Sequence, residues 1–392
     1  MNVSVAILHY PWDSVGGGER VSLTLLLGLL EAGVDARLLT GPSFDAEAVS
    51  RILGIEVPRD RVEILDLGRG LLDLAAARFR LGVYARGLSQ ALRVSGFLES
   101  LLSEREIIVE TRLGLPLPAD VVYMHYPTAA WRPRGRGPLW LAYRGLVRIL
   151  ERRLGLPWGR GPGVLVTNSR WTAALIYSVH RRLARIVYPP VDLEWVPLTR
   201  GSERLALTVS RFAPSKEVHR LLEARLDSVG YRLHLVGGAH KPVERAYLAR
   251  VEAMARSLAW VSIHPNAPRQ VLVDLLSRAR YYVHPPFPEH FGIAVAEAMA
   301  AGLVPIVYCD GGAWTDLVKP SGAGACYRDP REIPGLIERL EPLWDEQSER
   351  ARRYIRSRTD LTPRGFTERM LTIIKEVHEV KDTGLSSPSP AP

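Results

Sequence analysis

Two glutamates stand eight positions apart in PEHFGIAVAEAMAAG, which runs from Pro288 to Gly302. Pro285, Pro286 and Pro288 bar a helix before Glu289, and Gly292 opens an alanine-rich one with Glu297 about one turn inside. The first-turn amides and the helix dipole favour a phosphate at that end by up to roughly 2 kcal/mol. A carboxylate beside a phosphate is repelled, so each glutamate suits hydroxyl partners, a sugar ring for one and a ribose for the other. The plainer reading of Glu297, an exposed helix residue, is disfavoured by Ala294, Val295, Ala298 and Met299, which make the helix apolar on several faces.

Two cations belong with them. Arg211 and Lys216 are five apart in RFAPSKEV, a loop between a strand-like run and an expected helix, and Lys216 is one of only five lysines against 46 arginines. Converging cations at the mouth of a strand suit a diphosphate, because charge-assisted hydrogen bonds are about twice as strong as neutral ones. The competing reading is two solvated loop residues. Gly16, Gly17 and Gly18 follow the first strand-like run and precede a helical pattern; a tight turn there would let backbone amides approach an anion. The run matches neither the P-loop nor the dinucleotide fingerprint, and an ordinary turn is the alternative.

The elements that must position these residues alternate along the chain. Short apolar runs at 3–9, 35–40, 62–65, 106–110, 121–125 and 163–168 form one series, and runs at 205–210, 232–237, 259–264, 281–285 and 304–309 form another, with helical patterns between them. This alternation predicts an α/β fold of two doubly wound, Rossmann-like domains facing each other across a cleft, with ligands beyond the carboxyl ends of the strands. Three prolines in YPPVDLEWVP (188–197) mark the break. The expected division is a first domain at 1–190, a second at 191–341, helices at 342–380 returning to the first domain, and a disordered tail at 381–392.

Composition sets bounds. The 392 residues are 47% hydrophobic and 24% charged, as a packed globular chain requires, and no 18-residue apolar run is present. MNVSVAILHYPWD lacks a basic n-region and a cleavage pattern and reads as a first strand. Cys309 and Cys326 have no motif spacing, so neither a disulfide framework nor a zinc site is expected, in keeping with a reducing, cytoplasmic compartment. The net charge of +9 is uneven: residues 1–190 hold 24 Arg, no Lys and 17 acids, a net of +7, and the rest of the chain only +2. An Arg-rich half points to an anionic partner or to a solvated surface.

Together, the paired glutamates, the Arg/Lys loop, the glycine run and VYPPVD (187–192) resemble the retaining family-4 glycosyltransferases of the two-domain GT-B type, over nearly the whole chain. Within that family, GGGERV, MHYPT, VTNSRWT and EHFGIAVAEAMAAG are most similar to the α-1,2-mannosyltransferases that extend the dolichol-linked oligosaccharide from GDP-mannose. The resemblance implies a donor diphosphate on Arg211 and Lys216, assisted by Gly17, Gly18 and the amides of Gly292 and Ile293. It implies ribose on Glu297, the transferred sugar on Glu289, and a base pocket along HPNA (264–267), with Asn266 and Ala267. His125 would face the reacting sugar and Asp13 the acceptor; a structural histidine and a turn-forming acid are the respective alternatives. The implied cofactor is none beyond the nucleotide-sugar donor, GDP-mannose with a UDP-sugar as alternative. No D-x-D triplet occurs, so no metal ligand pair is expected and leaving-group charge would fall to fixed cations and dipoles.

The basic half adds one expectation. In residues 139–154, Leu139, Tyr143, Leu146, Val147, Leu150 and Leu154 recur at helical spacing, with Arg144, Arg148 and Arg152 on another line and Arg132, Arg134 and Arg136 just before. This reads as a basic amphipathic segment on an anionic membrane, suited to peripheral attachment and a lipid-linked or saccharide acceptor, or else as a domain helix. No aromatic-interleaved basic motif is present, so nucleic acid is not expected. The alternatives to a transferase are a sugar-nucleotide epimerase on the same fold and a non-catalytic sugar-nucleotide or membrane-binding module.

Overall fold

The first strand explains the layering. In β1 (Ser4–His9), Ala6 and Leu8 enter one hydrophobic core while Val5 and Ile7 enter another on the opposite face. Side chains alternate across a strand, so an unbroken apolar run demands cover on both faces, the condition of a parallel sheet. The computed structural model describes residues 3–12, 15–68, 82–101, 106–112, 114–115, 117, 119–127, 141, 145, 148–149, 152–153 and 163–383.

The chain divides into two compact units, 1–190 with 363–392, and 191–362. In the first, β1 is followed by β2 (Asp35–Thr40), β3 (Val62–Ile64), β4 (Ile107–Glu110), β5 (Val121–Met124), β6 (Val164–Thr167) and β7 (Arg185–Ile186). The described strands pair in the order β3-β2-β1-β4-β5-β6-β7, all parallel. In the second unit, β8 (Leu205–Val209), β9 (Arg232–Gly237), β10 (Val261–Pro265), β11 (Tyr281–Val283), β12 (Val304–Tyr308) and β13 (Ala325–Tyr327) pair in the order β10-β9-β8-β11-β12-β13, again all parallel. Both orders reverse direction beside their first strand, at β1/β4 and at β8/β11. In doubly wound sheets a ligand crevice opens at that reversal, past the carboxyl ends of the two strands.

Several expectations change. The helix Trp344–Arg356 stays with the second unit: Ala351 and Ile355 are buried, the Trp344 indole donates to the Arg280 carbonyl at 3.0 Å, and Ser348 Oγ donates to the Gly302 carbonyl at 2.5 Å. The return to the first unit is therefore the single helix Pro363–Thr383, not a segment beginning at 342. Its Phe366, Met370, Ile373 and Ile374 join the core that holds Val21 and Leu25. That helix continues through residues 381–383 of the expected tail; 384–392 lie outside the described residues. Cys309 and Cys326 are joined by a disulfide, against the expectation from their spacing. Their partnership is set by sheet pairing, since Val307 lies opposite Cys326 in the β12–β13 register and Cys309 follows two residues on.

Candidate functional site

The second unit gathers its candidates at the β8/β11 reversal. β8 runs out into Ser210–Lys216 and β11 into His284–Gly292. The helix Ile293–Ala301 begins where expected, with Gly292 as its N-cap at φ 99°, a left-handed conformation that a residue with a side chain adopts only with strain. Glu297 is the fifth residue of that helix and is half-buried, so it is not a plain surface residue.

Glu289 is fixed before the helix starts. Its carbonyl accepts from the Gly312 amide at 2.6 Å, and a β-carbon at Gly311 would come within 2.5 Å of that carbonyl. The carboxylate Oε1 accepts from the His290 amide at 3.1 Å, and Oε2 accepts from Lys216 Nζ at 2.6 Å with His284 Nε2 at 3.4 Å. Burial alone would push this carboxyl up; Lys216 foremost, with His284, reverses that and holds it well below the usual carboxylate range. Lys216 and Glu289 are thus brought together, and Lys216 Nζ also lies 4.7 Å from the centre of the Phe287 ring.

Lys216 does not precede an α-helix. Residues 214–216 and 218–224 form 3₁₀ turns separated by Glu217 at φ 48°, and Arg225 at φ 48° ends the second. Left-handed residues cannot continue an α-helical ladder, which accounts for the departure. Arg211 is half-exposed and pairs with Glu244, Nη1 to Oε1 at 3.4 Å. Next to it, Gly237 lets the β9 loop pass the β8 loop: a β-carbon there would lie 1.8 Å from the Ser210 carbonyl oxygen. Asn266, at φ 51°, braces the same loop, its side-chain oxygen accepting from the Ala239 amide at 2.9 Å. Asn266 and Ala267 therefore follow β10 at the same end of the sheet as Arg211.

In the first unit the glycine run is not a tight turn. Gly16 is extended at φ −172°, and the helix Gly17–Glu31 already includes Gly17 and Gly18. A β-carbon at Gly18 would sit in ordinary van der Waals contact with His125, 3.5 Å from its Nε2. Gly18 and His125 are thus neighbours, one in the first turn after β1 and the other just past β5. Beneath them is a buried network that sequence reading missed. His9 Nδ1 lies 2.6 Å from Ser22 Oγ and 3.0 Å from Thr111 Oγ1, and those hydroxyls are 2.8 Å apart. It ties the ends of β1 and β4 to the first turns of the helix. Asp13 lies outside the described residues.

His284, His290 and Glu244 were also missed. His284 and Glu244 are buried and His290 is half-buried, and desolvation pushes the His290 imidazole down to about 4. The two histidines flanking Glu289 in VHPPFPEH were the available signal; Glu244 had none, because its partner is 33 positions away. Among the described residues no group of three or more His, Cys, Asp or Glu could hold a metal ion, and no helix is long and apolar enough to cross a membrane. Of the expected basic amphipathic segment, Arg148, Ile149 and Arg152 are helical and exposed, while Arg132, Arg134, Arg136, Leu139, Tyr143, Arg144, Leu146, Val147, Leu150 and Leu154 lie outside the described residues.

Residues 193–360 match the family described as "Glycosyl transferases group 1", so the second unit carries a domain of that kind. The chain is similar to the "GDP-Man:Man(3)GlcNAc(2)-PP-Dol alpha-1,2-mannosyltransferase" of Candida glabrata, 24% identical over 54% of this chain and 47% of that protein. It is similar to the human protein of the same description, 30% identical over 40% of this chain and 36% of the other. The chain spans less than half the length of these curated relatives. Among solved structures, WaaG, a glycosyltransferase involved in lipopolysaccharide biosynthesis, aligns with a TM-score of 0.68 at 18% identity over 94% of this chain and 99% of WaaG. Sucrose-phosphate synthase from Thermosynechococcus elongatus aligns at 0.69 and 15% identity over 96% and 100%. The fold is that of the GT-B glycosyltransferases, two Rossmann-like parallel-sheet units.

Proposed function

We propose that this chain is a retaining glycosyltransferase that moves mannose from GDP-mannose onto a lipid-linked or saccharide acceptor with formation of an α linkage. The observation that carries the reading is the meeting of Lys216 and Glu289, 2.6 Å apart, at the β8/β11 reversal beside the N-terminus of the helix Ile293–Ala301. The group 1 match over residues 193–360 and the dolichol-pathway mannosyltransferase relatives support it.

The chemistry follows from the groups present. Arg211, Lys216 and the helix N-terminus at Gly292 and Ile293 neutralise the departing diphosphate; before the donor binds, Glu244 holds Arg211 and Glu289 holds Lys216 near that place. Glu289 stays ionised and accepts from hydroxyls of the transferred sugar; Glu297 takes the ribose hydroxyls. Asn266 and Ala267 border the base. The reading assigns Gly17 and Gly18 to the donor diphosphate, His125 to the reacting sugar, and Asp13 to the acceptor. It assigns Arg144, Arg148 and Arg152 to an anionic membrane surface, which makes the enzyme peripheral on the cytoplasmic face.

Thermal unfolding with GDP, GDP-mannose, UDP and UDP-glucose tests the donor. A ligand present at about 100 times its Kd adds roughly 2.7 kcal/mol of stability. Stabilisation by the guanosine pair, followed by mannose transfer to a polyprenyl-diphosphate oligosaccharide, is the expected result. Stabilisation by UDP alone would replace the donor, conversion of the nucleotide sugar to an isomer would replace transfer by epimerisation, and no response to any of the four would overturn the reading.

A further inference from the structure

We propose that His284 is a second cation for Glu289, one that keeps the carboxylate ionised and in place when Lys216 is drawn to the donor diphosphate; this rests on the transferase reading above and adds a positioning residue to it. His284 follows β11 directly, with its side chain 5% exposed. Its Nδ1 lies 2.9 Å from the Pro285 carbonyl oxygen. A carbonyl only accepts, so Nδ1 carries a hydrogen. Nε2 faces Glu289 Oε2 at 3.4 Å, and a carboxylate also only accepts. A neutral ring with its hydrogen on Nδ1 would set a lone pair against the carboxylate. A favourable contact calls for a hydrogen on Nε2 as well, the cationic ring that the proposal invokes.

Oε2 of Glu289 thus has two nitrogen neighbours from different elements, Lys216 Nζ from the loop after β8 and His284 Nε2 from the end of β11. The other titratable groups near them are Tyr282, whose hydroxyl donates to the Val209 carbonyl oxygen at 3.1 Å, Tyr327 and His290. The Tyr327 hydroxyl donates to the His284 carbonyl oxygen, and His290, with its imidazole pushed down to about 4, is neutral at physiological pH. A diphosphate competes with Glu289 for Lys216 and carries more charge. Once Lys216 turns to it, Oε1 keeps only the His290 amide, and burial favours protonation of the acid. A protonated Glu289 accepts poorly from a sugar hydroxyl. His284 removes that difficulty, because its ring is packed, points at Oε2 and has no phosphate to follow.

His284→Gln keeps a neutral donor in a similar volume, and His284→Ala removes it. In His284→Gln the Kd for GDP should stay within about twofold of wild type while turnover falls on the order of 10²-fold, as expected when a reacting group is misplaced. The wild-type decline in turnover at alkaline pH should flatten in the variant. A purely structural role would instead lower activity equally at every pH. A readout that needs no activity separates the inference from the reading: the titration midpoint of the His284 ring, followed by NMR on the full chain, should rise in Lys216→Ala and fall in Glu289→Gln. A protein that binds no GDP yet shows these two shifts retains the His284–Glu289 coupling and refutes only the transferase reading. A midpoint indifferent to Glu289→Gln, or wild-type turnover and pH profile in His284→Gln, overturns the proposal.

Discussion

Glu244 holds Arg211: the guanidinium Nη1 lies 3.4 Å from Oε1, while Oε2 of the same carboxylate accepts from the amides of His240 at 3.0 Å and Lys241 at 3.1 Å. One buried side chain therefore caps the helix Pro242–Ala255 and aims a cation at the mouth of β8. Glu244→Ala should cost about 1 kcal/mol of stability through the lost cap. It should also weaken GDP binding, because Arg211 is freed. Arg211→Ala and Lys216→Ala should each lower turnover on the order of 10²-fold, as for loss of one preorganised electrostatic donor. Steady-state kinetics with and without EDTA checks both parts: full activity in the double mutant, or loss of wild-type activity to the chelator, contradicts a diphosphate site that works without a metal.

The two glutamates should separate by ligand. Glu297→Gln should raise the Kd for free GDP because a ribose contact is lost. Glu289→Gln should leave that Kd nearly unchanged and depress turnover, since its partner is the transferred sugar. Calorimetry on both variants decides this, and equal losses of nucleotide affinity would sink the division of labour.

Much of this site was legible because its signals are local. Prolines before Glu289 and glycine at 292 state where the helix starts whatever surrounds them, and Gly292 takes the left-handed conformation that the start requires. Apolar runs flanked by loops gave the strands because a doubly covered strand needs no alternation. What sequence could not give depends on partners distant in the chain. Glu244, His284 and the Cys309–Cys326 pair acquire meaning only through sheet order. The short strands β7 and β13 carry too few residues to form a pattern. Gly16–Gly18 read as a turn because glycine permits one, yet two of the three are helical.

The docking of the last helix can be tested at one contact. A β-carbon at Gly28 would lie 2.1 Å from Thr367 Oγ1 and 2.8 Å from its Cβ. Gly28→Ala should therefore destabilise the first unit, by about 1–3 kcal/mol if overpacking is the cause. Thr367→Gly in the same chain should recover part of the loss despite the poor helix propensity of glycine. Chemical denaturation of the single and double variants measures this. Additive losses would show that the two residues do not meet.

Acid should weaken the second unit in two stages. Burial, with His264 and Arg232 adding to it, pushes His234 down to about 4, and burial pushes His290 to about 4 as well. A histidine whose folded value is depressed contributes stability that is complete above its unfolded value of about 6.5 and is lost as pH falls toward the folded value. Stability should thus decline from about pH 6.5 toward 4, by up to about 1.4 kcal/mol per pH unit for each such histidine. Glu289, held below the carboxylate range, adds loss only below its unfolded value of about 4.3. Unfolding midpoints over this range should show a shallower upper slope in His234→Gln, and Glu289→Gln should remove the loss below about pH 4.3 while leaving the share of His234 intact. An unchanged upper slope in His234→Gln would mean that this ring is already charged in the fold.

The last prediction concerns the membrane. Residues 1–190 carry a net charge of +7, and Arg148 and Arg152 are exposed on helical backbone beside an exposed Ile149. A cation near an anionic bilayer contributes about 1 kcal/mol, falling off within a Debye length. Arg144, Arg148 and Arg152 together would supply roughly 3 kcal/mol if all three face lipid. Changing the three to Gln should release the protein from vesicles containing phosphatidylserine, and added salt should release the wild type in the same way. GDP binding should survive, because the donor groups Arg211, Lys216 and Glu297 belong to the other unit. Sedimentation at low salt gives the answer. A wild type that stays in the supernatant, or a triple variant that pellets as well as wild type, would leave this segment an ordinary domain helix and require the acceptor to reach its site without it.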